Sequence, residues 1–216
     1  MKLSLSKNAM FGGQRKSPIR VALLAAVVLV SACASPAPPR DNFYRLDAAP
    51  QVRVLDKPLL PGVVEVNRLD VDGALSERGL AYQEKDGALA RYSYDLWSDA
   101  PATALQLALA ESLRRARVAE QVVTPDLRVP PDWMVRGRLL RFEYIPNANK
   151  VSAKLQLAVV SARDGALVLL DTYAAEPAVQ GSGPEAAVAA FNRATADILS
   201  RFVSDLSNAK VPVQRR

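Results

Sequence analysis

The chain contains no histidine, and its only cysteine is Cys33. Without histidine the usual general base and the commonest metal ligand are missing, and no Ser-His-Asp or Cys-His arrangement can form. A lone cysteine provides neither an intramolecular disulfide nor a thiolate set for zinc. Long apolar runs are also missing. The unbroken run Val21–Val30 is well short of the ~20 residues that cross a bilayer as a helix. No acidic residue occurs before Asp41, and no segment repeats.

The first forty residues nevertheless carry a clear pattern. Lys2, Lys7, Arg15, Lys16 and Arg20 form a basic start. The short apolar run and the small residues Ser31 and Ala32 follow, in the order of a secretory signal peptide over residues 1–32. Leu29-Val30-Ser31-Ala32-Cys33 resembles the bacterial lipobox. That resemblance implies cleavage before Cys33 and lipidation of its sulfur. One acyl chain holds a protein on a membrane only marginally, whereas two or more anchor it stably. Ala34 and Ser35 stand where an inner-membrane retention Asp would be, which points to the outer membrane, facing the periplasm. Five of the 28 basic residues precede Cys33 and none of the 22 acidic ones does, leaving 23 against 22. The high isoelectric point therefore belongs to the signal and gives no argument for nucleic acid.

Residues 33–42 read as a Pro-rich tether, with Ser35-Pro36-Ala37-Pro38-Pro39-Arg40 at its centre. Such segments extend by ~3.1 Å per residue. Residues 43–207 are enough for one domain with a proper core, and residues 208–216 read as a flexible tail. Strand patterns occupy Phe43–Leu46, Gly62–Leu69, Leu80–Glu84 and Leu89–Tyr94, the last two joined by the turn Lys85-Asp86-Gly87. Asp99 and Pro101 predict a helix start, and Leu105, Leu109 and Leu113 share one face of that helix. Arg114, Arg115 and Arg117 follow in its last turn, where cations suit the helix dipole; an anionic head group is the alternative reading of that cluster. Three strand runs, Trp133–Tyr144, Val151–Ser161 and Ala166–Ala174, read as an antiparallel meander. A final helix over Pro184–Leu206 has the stripe Val188, Phe191, Thr195, Ile198, Phe202 and Leu206. Strands, a helix, three strands and a second helix predict an α+β domain: a mostly antiparallel sheet covered on one face by two helices.

Motifs with catalytic or cofactor potential fail on physical grounds. Asp70-Val71-Asp72-Gly73 lacks the rest of a calcium loop and reads as a turn. Gly181-Ser182-Gly183-Pro184-Glu185-Ala186 has dinucleotide-loop spacing, but Pro184 offers no N–H and Glu185 would repel a phosphate. Ser207 and Lys210 have the S-x-x-K spacing, yet they end a helix where the lysine stays solvated. No metal, cofactor or catalytic residue is expected, and Cys33 is the one site residue.

The ordered motifs resemble the ABC-type transport auxiliary lipoproteins, the group that includes the paraquat-inducible protein C type. Phe43-Tyr44-Arg45-Leu46 matches the family opening after lipobox and tether. Val64-Glu65-Val66, Arg78-Gly79-Leu80-Ala81-Tyr82 and Tyr92-Ser93-Tyr94-Asp95-Leu96-Trp97 follow. Trp133–Glu143, Asp171-Thr172-Tyr173 and the last helix complete the pattern, while Leu96 departs from the basic residue that relatives often carry there. The resemblance implies a non-catalytic accessory in an MCE/ABC-type intermembrane lipid transport system, docking an MCE-domain protein and held on the outer membrane by its lipid. Lipid itself, carried in an apolar pocket, and a second copy of the chain are further candidate partners.

Overall fold

The computed structural model describes residues 39–211. The signal peptide, Cys33, most of the tether and the end of the tail lie outside the described residues. The elements run β1 (Asn42–Tyr44), β2 (Leu60–Val66), β3 (Gly79–Gln83), β4 (Leu89–Trp97), α1 (Pro101–Ala116), β5 (Ala119–Val123), β6 (Trp133–Ile145), β7 (Lys150–Ser161), β8 (Leu167–Ala175) and α2 (Gly183–Asn208).

The class is α+β, as expected, but the sheet is mixed. The long ladders β6–β7 and β7–β8 and the hairpin β3–β4 are antiparallel. β1 joins β4, β2 joins β5 and β6, and β3 joins β6, all in parallel. The reason lies in the connections. Long excursions, including α1 between β4 and β5, let strands re-enter the sheet in the same direction, which a tight hairpin cannot do. β6 is the spine. One edge of its first half takes β2, residues 67–70 continue along that edge, and its second half takes β3, while β7 lines the whole opposite edge.

Alternation along β6 and β7 sends Trp133, Val135, Leu139, Phe142, Val151, Ala153, Leu155, Leu157 and Val159 into the core. Both helices pack on that face, α2 against β6–β8 and α1 against β2, β5 and α2. The stripe Phe191, Thr195, Ile198, Phe202 and Leu206 is buried as predicted, with Val188 partly buried beside it. α1 begins at Pro101, but its N-cap is Ala100, so Asp99 does not cap it. Its end is sharp because Arg117 turns left-handed and Arg117 N–H and Val118 N–H fold back on the Arg114 and Leu113 carbonyls. Gly137 is required by packing: an added Cβ would collide with the Gln156 carbonyl and stand 2.8 Å from Leu157 Cδ2 and 3.0 Å from Leu69 Cδ2.

Candidate functional site

The face of the sheet turned away from the helices is built from three strands whose register sets side chains in rows. Met134, Val160 and Leu167 form one row, and Arg136, Ala158 and Leu170 the next. Arg138, Gln156 and Thr172 follow, then, past a bulge at Leu140, Arg141, Lys154 and Ala174. Leu167 and Leu170 are 55% and 53% exposed, and Leu140 is exposed too. Arg138 is paired to Asp72 at 3.0 Å. Arg136 has only the Met134 sulfur, at 3.2 Å, and Lys154 has no carboxylate within salt-bridge distance among the described residues. An apolar corner thus merges into a cationic column. β8 pairs only with β7 among the described residues, so it forms an edge.

The same column ends in buried polar groups. Glu143 stands opposite Ser152, is 7% exposed, and accepts the Phe142 N–H at 3.0 Å. Burial pushes its carboxyl above the ordinary range, against the Phe142 bond and nearby Arg141, with Glu176 adding repulsion. Ser152 donates to Glu176, which Lys150 also holds, and these bonds keep the Glu176 carboxyl below its ordinary value. Such a cross-strand cluster is satisfied structure with no reacting geometry.

Among the described residues, two clefts stand out on the surface. The first, about 230 Å³, runs between residues 44–50 and α1, with Trp97 and Leu107 in its lining and Arg45, Asp99 and Arg115 also on it. The second, about 500 Å³, lies between the β3–β4 turn and Pro146-Asn147, lined by Tyr82 and Tyr92, whose ring centroids are 4.5 Å apart. The first reaches Trp97 at the edge of the core, and no residue of either helix lines the second. The sheet–helix interface is filled by Trp97, Phe142 and Phe191, with centroids 4.5 to 5.6 Å apart, and by the aliphatic cluster around them.

The remaining motifs resolve locally. Arg114 and Arg115 are paired to Glu111, and Arg114 also donates to the Val122 carbonyl, so these two cations are tied to their own helix and strand, while Arg117 is the left-handed C-cap. Asp72 precedes a single 3-10 turn over Gly73–Ser76. Gly181–Gly183 leads into α2, with Ser182 at its N-cap. Ser207 bonds the Val203 carbonyl at 2.7 Å. No group of three potential metal ligands occurs among the described residues. Cys33 lies outside them. The open face is what sequence reading missed. Its signal was the alternation Met134, Arg136, Arg138 and Lys154, Gln156, Ala158, Val160, but only the register shows that these meet.

No curated protein matches the chain. Solved structures that share its fold include the following two. A Xanthomonas campestris protein of the DUF330 family aligns with TM-score 0.65 at 14% identity, covering 75% of this chain and 92% of its own. A crystal structure of an uncharacterized protein aligns with TM-score 0.62 at 14% identity, covering 78% and 99%. Residues 44–202, from the first strand to the last turns of α2, match the family described as ABC-type transport auxiliary lipoprotein component, and the chain belongs to that family.

Proposed function

We propose that the protein is a non-catalytic docking component of an MCE/ABC-type intermembrane lipid transport system, held on the periplasmic face of the outer membrane by lipid on Cys33. The filled sheet–helix interface carries this reading. A carrier needs an enclosed apolar cavity, commonly 300–1,000 Å³, whereas here Trp97, Phe142, Phe191 and Phe202 are fully buried where an acyl chain would lie. Docking needs an accessible surface instead. The Tyr82–Tyr92 cleft fits: aromatic side chains with a polar rim are the usual anchors of protein interfaces.

The test is capture of the MCE-domain protein from detergent-solubilised envelopes by wild type and by Tyr92→Ala. Capture by wild type and its loss in the variant, with fold intact, supports docking. Stoichiometric lipid in the purified domain by mass spectrometry, with no MCE protein captured, would replace it with the carrier.

A further inference from the structure

We infer that the open face of β6, β7 and β8 is a second membrane contact, lying on a bilayer that contains anionic phospholipid. This goes beyond docking and uses a different surface from the Tyr82–Tyr92 cleft. The argument starts from which side chains the register collects. Arg136, Arg138, Arg141 and Lys154 stand together, beside Met134, Ala158, Val160, Leu167 and Leu170. In water this is a poor surface, because two leucines more than half exposed sit side by side with no partner. At a bilayer interface both halves are satisfied: aliphatic side chains enter the acyl boundary and cations meet phosphates.

Charge complementarity selects the occupant. The acids near this face cancel only part of its charge: Asp72 pairs with Arg138, Glu143 stands 3.8 Å from Arg141, and Glu176 is held by Lys150. Arg136 and Lys154 remain without a carboxylate partner among the described residues. Composition argues against a protein partner. The rows contain no Trp or Tyr and border neither cleft, whereas protein interfaces concentrate energy in aromatic anchors seated in pockets. Reach is sufficient. From β1 to β7 the path crosses β4, β3 and β6, roughly 20 Å at strand spacing. The ten residues 33–42 extend about 30 Å.

The compact unit Arg40–Arg216 contains every core residue, so it folds without residues 1–39 and carries no lipid of its own. Its flotation with vesicles is the test, using phosphatidylethanolamine with phosphatidylglycerol against phosphatidylcholine alone. Binding to the anionic vesicles only, weakening with salt, is expected. Arg136→Gln with Lys154→Gln should lower the partition coefficient roughly twenty-five-fold, about fivefold per cation. Leu170→Ser should remove the part that resists salt. Arg201→Gln, on the helix side, should float like wild type. Circular dichroism confirms each fold. Equal binding to both vesicle types, no binding to anionic vesicles at low salt, or a double variant that floats unchanged overturns the inference. Loss of MCE-protein capture by the double variant, with vesicles ignored throughout, reassigns the face to a protein. The vesicles contain no partner protein, so a negative result there leaves the docking reading standing.

Discussion

Replacing Trp97 by Ala should show how much of the fold depends on one aromatic contact. Trp97 is 2% exposed at the end of β4, and its ring meets Phe142 of β6 at 5.6 Å and Phe191 of α2 at 5.4 Å. Phe142 and Phe191 meet each other at 4.5 Å, so the three rings close a triangle joining two strands to the second helix. The indole thus packs against α2, well beyond the strand–helix corner beside it in sequence. Truncating a buried Trp removes its transfer energy and leaves a cavity, at a cost of about 3–5 kcal/mol. For a domain this size each kcal/mol moves the melting temperature by about 2–4 °C, so a fall of roughly 6–20 °C is expected. Thermal melting of residues 40–216, followed by circular dichroism, measures it. Trp97→Phe should recover much of the loss, and Trp97→Ala with Phe191→Ala should cost less than the sum of the two, because both empty one space. An unchanged melting temperature in Trp97→Ala would refute the reasoning and return the ring to the surface as a binding residue.

Glu143→Gln should be more stable than wild type at pH 8, with the difference closing as pH falls towards about 4. The native fold holds the Glu143 proton more tightly than the unfolded chain, so its contribution is complete below the ordinary carboxylate pKa and lost as pH rises through the elevated one; melting across pH reads the gap, and a gap that widens on acidification contradicts the burial argument. Gly137→Ala should cost about 1–3 kcal/mol by overpacking against the Gln156 carbonyl; a chemical-denaturation midpoint equal to wild type would mean that the strand crossing yields. Cys33→Ser should abolish fatty-acid labelling and leave the chain either uncleaved or removable from membranes by salt, and labelling that persists would disprove lipidation at that sulfur.

Local patterns were legible where they matched a period. The β6–β7–β8 meander, the β3–β4 hairpin with Asp86 and Gly87 in its turn, and the buried stripe of α2 follow from alternation, turn residues and helical spacing within single segments. β5 did not show. Ala119–Val123 is five residues long, does not alternate, and is a strand only because β2 offers it a parallel partner. For the same reason Asp99 looked like a cap: a side chain suited to the role says nothing of where the backbone turns.

By itself the amino-acid sequence determined the class of molecule: a missing histidine, a single cysteine after a short apolar run, two amphipathic helices and the strands between them. Each of these depends on neighbours along the chain or on residues that are absent, and neither requires a fold to be read. Tertiary structure alone decided the parallel pairings, the aromatic triangle of Trp97, Phe142 and Phe191, and the row that sets Arg136 and Leu170 on either side of Ala158. These join positions tens of residues apart, and shifting a strand by one residue would turn every side chain of the open face inward. Register is set by the summed packing of both faces and by the turns, and no local segment contains that sum.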